Sequence, residues 1–127
     1  MKLAVVTDDG KNVSKHFGRA PYYLVVELEG GAIKEKKLVP KLGHGQFYGT
    51  HEGGSRGHHM GSESKHRAII APISDCKVVI CGGMGIGAYQ SMMLNGIQPI
   101  ITSLESAEEA IEAYLKGKID DHPELVH

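Results

Sequence analysis

In "VSKHFGRAPYYLVVEL" (13–28) a histidine and an arginine flank a Phe-Gly pair just ahead of an apolar, aromatic run. His16 and Arg19 are the two cationic-capable side chains of the stretch. A turn entering a strand needs only Gly18 and Pro21, so the cationic pair asks for another reason. A second candidate is "GGMGIG" (82–87), whose Gly83, Gly85 and Ala88 follow the G-x-G-x-x-A spacing of a dinucleotide fingerprint. Too few residues follow it for a second βαβ unit, and Glu105 falls at a helix start rather than a strand end. Third, five of the eight histidines (His44, His51, His58, His59 and His66) lie in one glycine-rich stretch, where they can hold nickel or zinc. Cys76 and Cys81 form neither a disulfide framework nor a C-x-x-C pair.

The elements that position these residues follow from local patterning. "LAVVT" (3–7) is a β-branched strand closed by Asp8-Asp9-Gly10, and "YYLVVEL" (22–28) is the second strand. Gly30-Gly31 predicts a tight hairpin into "AIKEKKLV" (32–39), where Lys34, Lys36 and Lys37 suit an exposed sheet edge. Residues 41–62 lack apolar periodicity and read as a flexible Gly/His-rich loop. Ser62 is expected to cap a helix through Ala68, Ile69 and Ile70, ending near Pro72. "KVVIC" (77–81) reads as a buried parallel strand, Ala88–Leu94 as a helix, "QPIIT" (98–102) as a strand. The last helix has Ala107, Ala110, Ile111, Tyr114 and Leu115 on one face, with Ser103 as its expected cap and Gly117 past its end.

The order βββαβαβα, with right-handed crossovers, predicts an α/β fold. Its sheet is five-stranded and mixed, order 3-2-1-4-5, with strand 2 antiparallel and helices on both faces, a ribonuclease H-like topology. In that frame the loop carrying His16, Phe17, Gly18 and Arg19, the histidine loop, Cys81 and Gly82–Gly85 share the rim at the carboxyl ends of the strands. Open α/β sheets bind ligands there, and helix N-termini at that edge favour an anion. Cys76 lies about 16 Å away at the far end of strand 4, beyond the roughly 7 Å that a disulfide spans. A two-metal nuclease centre would need several carboxylates at the rim. Asp8 or Asp9 and Glu63 are available, but Asp75 falls at the opposite end, so the set is incomplete.

With 127 residues, 41% hydrophobic composition and a net charge of -1, the chain reads as one domain, 1–127, with no nucleic-acid or membrane partner. The apolar run in "MKLAVVTDDG" is too short for a signal peptide or a membrane span, which predicts a cytoplasmic location.

Nearly the whole chain, to about residue 120, resembles the dinitrogenase iron–molybdenum cofactor-binding family, which includes NifX- and NafY-type carriers. The resemblance rests on H-F-G-R-A-P (16–21), D-C-K-V-V-I-C-G-G-M-G (75–85) and E-A-I-E-A-Y-L-K-G (109–117). It implies a non-enzymatic carrier for an anionic iron–sulfur or iron–molybdenum-type cluster, with a cluster-synthesis or acceptor protein as partner. The family's proposed histidine ligand falls on His16. Arg19 would then offset charge, Gly18 would let the cluster approach the backbone, and Phe17, Cys81, Gly82, Gly83, Met84 and Gly85 would complete the site. The metal-binding set is His16 together with His44, His51, His58, His59 and His66. Two rival readings are a small-molecule anion or nucleotide module on the same rim, and a nickel or zinc buffer working through the histidine loop.

Overall fold

A computed structural model describes residues 1–41 and 69–126. The strands are β1 (Lys2–Thr7), β2 (Tyr22–Glu29), β3 (Ala32–Pro40), β4 (Val78–Cys81) and β5 (Gln98–Ile101), with helices α1 (Ile86–Leu94) and α2 (Ala107–Leu115). The sheet order is β3-β2-β1-β4-β5, with β2 antiparallel to both its neighbours and β1, β4 and β5 mutually parallel. Expected order and directions are thus met.

Alternation along the strands produces two cores. Ala4 and Val6 of β1, Tyr23 of β2 and Val79 and Cys81 of β4 pack on one face with Ala88 and Met92 of α1. Leu3, Val5, Val26, Val78 and Ile80 pack on the other with Ala107, Ala110 and Ile111 of α2. The period of two explains why residues 3–6 of β1 and all of β4 are apolar: both their faces are covered. β3 is instead an edge strand, exposed along most of its length, and its lysines suit that position. Gly30 and Gly31, at φ 61° and 81°, make the hairpin turn into it. At the opposite edge β5 carries Pro99, which lacks an N–H, and the chain returns to cover it. The Asp121 carboxylate accepts from the Ile101 N–H at 3.0 Å, and the His122 N–H donates to the Ile101 carbonyl at 2.8 Å.

Ile69 and Ile70 are helical and run into a 3₁₀ turn, Ala71–Ile73, at Pro72. The expected start of that helix at Ser62 lies outside the described residues, as does the flexible loop at 41–62 apart from Lys41. One expectation is corrected. Ser103 does not cap α2; Ser106 does, its hydroxyl accepting from the Glu109 N–H at 3.2 Å. Ser106-Ala107-Glu108-Glu109 has the S-x-x-E spacing of a capping box, which Ser103 lacks.

Candidate functional site

The segments leaving β1, β4 and β5 at their carboxyl ends are stitched together by the loop 8–21. The loop first folds on itself. Asp9 accepts from the Lys11 and Asn12 N–H groups at 2.9 and 2.8 Å and from the Asn12 side chain at 2.8 Å, while the Thr7 hydroxyl accepts from the Gly10 N–H at 2.9 Å. These bonds, led by that of Lys11, hold the Asp9 carboxyl down at about 2. Asp9 is therefore engaged in its own turn, which removes it from any carboxylate centre.

Beyond Asn12 the loop runs between two neighbours. The Val13 N–H donates to the Glu105 carbonyl at 2.7 Å and the Ala107 N–H to the Lys11 carbonyl at 2.9 Å. On the other side the Gly82 N–H donates to the Ser14 carbonyl at 2.7 Å and the Phe17 N–H to the Gly83 carbonyl at 3.1 Å. This contact explains the glycine pair. A Cβ on Gly83 would lie 2.4 Å from the Lys15 carbonyl oxygen, and one on Gly82 would lie 3.1 Å from that of Ser14. Gly82 and Gly83 belong to the rim as expected, but their smallness serves the approach of two loops.

The H-F-G-R turn closes by bonds from the Arg19 and Ala20 N–H groups to the His16 carbonyl, both 3.1 Å. Phe17 is buried, its ring 6.4 Å from that of Tyr23. His16, Gly18 and Arg19 are exposed, and a Cβ on Gly18 would meet nothing within 4 Å. Among the described residues neither the His16 imidazole nor the Arg19 guanidinium has a hydrogen-bond or ion-pair partner, whereas the neighbouring Lys15 lies 3.7 Å from Glu105.

Beside this turn α1 begins at Gly85 with no side-chain cap and no acidic residue in its first turn. Its first N–H groups therefore keep the partial positive charge of a helix start. The expectation that every helix start at this rim favours an anion needs correction at α2, where Ser106 caps and Glu108 and Glu109 occupy the first turn. Cys81 stands at the rim end of β4 but faces the core. It is fully buried, its thiol donates to the Gly83 carbonyl at 3.0 Å, and burial pushes it up to about 11. Met84 is also buried, at 1% exposure. Both side chains pack into the core cluster under α1. Cys76, at the far end of β4, is buried and free, and Asp75 pairs with Lys2 at 2.9 Å there.

Two features of the rim carried no signal that sequence reasoning used. Lys41, directly after β3, is only 4% exposed. The segment 118–126 is anchored by Asp120, which accepts from the Thr102 hydroxyl, from the Ser103 N–H at 2.9 Å and from the Ser103 hydroxyl. His122 lies between carboxylates, Nε2 2.8 Å from Asp120 and Nδ1 2.9 Å from Glu124. Val126 then pairs in parallel with Met84. The alternation of acid and histidine in "DDHPE" (120–124) is the pattern that could have revealed this clamp.

Residues 1–117 match the family model described as dinitrogenase iron–molybdenum cofactor. The chain belongs to that family. Its match takes in both the H-F-G-R turn and the G-G-M-G segment and stops short of the anchored segment 118–126. A relative in Methanocaldococcus jannaschii, the uncharacterized protein MJ0580, is 28% identical over 120 residues, covering 94% of this chain and 90% of its own. Among solved structures PH0822 aligns with a TM-score of 0.72 at 23% identity, over 98% of this chain and 99% of its own. The apo form of the orange protein from Desulfovibrio gigas aligns at 0.65 and 20% identity, over 96% and 92%. At such identities the structural likeness establishes a shared fold.

A cofactor-family member could hold its cargo in a chelating nest or on an open surface. Among the described residues no three His, Cys, Asp or Glu side chains are placed to hold a metal ion. What the rim offers among the described residues is one unpartnered imidazole, one unpartnered guanidinium and the uncapped start of α1, a set suited to a preassembled anion. His44, His51, His58, His59 and His66 lie outside the described residues. No helix among the described residues is long and apolar enough to cross a membrane.

Proposed function

We propose that this protein is a non-enzymatic carrier for an anionic iron–sulfur or iron–molybdenum-type cluster, bound at the rim between the His16–Arg19 turn and the start of α1. The observation that carries this reading is the turn itself. The fold uses its backbone and Phe17, and leaves the imidazole and guanidinium exposed without partners among the described residues. His16 supplies the coordinating lone pair, Arg19 and the first N–H groups of α1 offset negative charge, and open space at Gly18 admits a bulky cargo. Membership of the cofactor family supports the cluster as cargo. The partner on this reading is a protein that makes or accepts the cluster, in the cytoplasm. Strand order and direction support the ribonuclease H-like label.

The test is anaerobic titration with a synthetic or extracted cluster, followed by visible absorption. His16→Ala removes a ligand but no core packing. It should weaken binding by about tenfold or more and change stability by less than about 0.5 kcal/mol. A variant lacking His44, His51, His58 and His59 should bind the cluster nearly as the parent does. The reverse pattern would move the site to the histidine loop.

A further inference from the structure

Lys41 is almost completely buried, at 4% exposure. A buried ammonium is costly unless its donors are met, and an apolar side chain of similar length would fill the same space without that cost. Several of its contacts fall on the H-F-G-R-A-P segment and on the ring beneath it. The ammonium donates to the Phe17 carbonyl and lies 3.9 Å from the centre of the Phe17 ring and 5.9 Å from that of Tyr23. The Lys41 N–H donates to the Pro21 carbonyl at 2.8 Å. One residue thus grips the turn at both ends, and the carbonyl it holds belongs to the peptide unit between His16 and Arg19. Its positive charge also reaches across the floor of the site, where it opposes the effect of burial on the Cys81 thiol.

We propose that Lys41 is the positioning residue of the candidate site, its buried ammonium fixing the turn that presents His16 and Arg19 and adding a fixed positive charge beneath them. The positioning stands on the contacts themselves; that it serves an anionic cluster rests on the function proposed above. Lys41→Met keeps the length and the apolar contacts while removing donor and charge. Lys41→Arg keeps both. Neither side chain coordinates cargo, so any effect on binding is transmitted through the turn or the field.

Two measurements on the full-length protein separate the parts. Without cargo, amide exchange of Arg19 and Ala20 should quicken by about tenfold or more in Lys41→Met, as expected on losing a hydrogen bond from a charged donor, and return toward the parent in Lys41→Arg. With tetrathiomolybdate as an anionic metal–sulfide probe, Lys41→Met should bind more weakly and with a flatter salt dependence, and Lys41→Arg should recover both. Unchanged exchange in Lys41→Met overturns the positioning role whatever the probe does. Quickened exchange with undiminished probe binding overturns its service to the site. Should the parent fail to bind any cluster or probe, the carrier reading falls, while the exchange rates still support or overturn Lys41 as the residue that fixes the turn. Should Lys41→Met fail to fold, exchange in Lys41→Arg decides: protection near that of the parent supports the clamp, and its loss overturns it.

Discussion

The H-F-G-R turn and the segment 118–126 each bring a histidine to the same rim, and the fold treats the two in opposite ways. At the turn, backbone bonds and the Phe17 ring do the anchoring, and the His16 imidazole takes no part. In the carboxyl-terminal segment the imidazole is itself the anchor, with Asp120 on one nitrogen and Glu124 on the other. Residue type alone does not distinguish a ligand from a brace; the partners of its nitrogens do. A ring already held by two carboxylates must give one up to coordinate anything, and His16 need give up nothing.

The sharpest way to break this contrast is at the glycines. Gly83→Ala forces a Cβ into the Lys15 carbonyl, and denaturant unfolding should show a loss of about 1–3 kcal/mol or more, the range of overpacking. Gly18→Ala places its Cβ in open space at the candidate site, so stability should move by less than about 0.5 kcal/mol while cluster binding weakens. Equal stability losses would mean that the turn is as tightly packed as the loop contact behind it.

Next comes Asp120→Asn, which weakens an acceptor for Thr102, Ser103 and His122. Thermal unfolding should report a loss of about 1.5–3 kcal/mol, the range for hydrogen bonds to a charged group. Cluster affinity should stay near that of the parent, the inverse of His16→Ala.

A smaller effect is expected from pH. Glu124 first, then Asp120, raise His122 above the ordinary imidazole value. The protonated ring donates to both carboxylates, so its contribution is fully present below the ordinary imidazole pKa and is lost as pH rises through the raised one. Burial would raise the Asp120 carboxyl, but bonds from Ser103, Thr102 and His122 outweigh it and hold the group well below the usual range. Its contribution is present above the ordinary carboxylate pKa and is lost only in strong acid. NMR of the His122 ring and the Val126 amide should therefore show the segment docked in mild acid and loosening on the alkaline side. The smallest effect concerns the thiols. Burial pushes both Cys76 and Cys81 up to about 11, so both should react slowly with a thiol reagent in the native protein at neutral pH. A rapid reaction at Cys81 alone would show that its end of β4 opens.

The strands were legible because each is a local pattern: the continuous apolar run in β4, the glycine pair before β3 and the lysines along it. Topology rules then sufficed for the sheet order, and convergence at one rim followed. What stayed hidden depends on contacts between distant segments. A lysine after a strand is exposed by default, and nothing near Lys41 in the chain announces the Phe17 ring and carbonyl that receive it. Gly82 and Gly83 read only as members of the rim, because the Lys15 backbone that requires their smallness is distant in sequence. Cys81 was placed correctly along β4, but whether its side chain meets solvent or core turns on how the loops close over the strand end. Ser103 differs: the capping-box spacing at Ser106 was readable, and Ser103 is drawn instead to Asp120.

The pairing of Val126 with Met84 has a practical side. Anything joined after Val126 is delivered beside the start of α1, on the face where cargo is expected. A polyhistidine tag placed there would bring competing imidazoles to the surface under test, and a bulky fusion would crowd it. The Met1 amino group donates to the Leu28 carbonyl at the opposite end of the strands. Tags and surface tethers belong at that end, where the rim stays open to an incoming cluster or to the protein that delivers it.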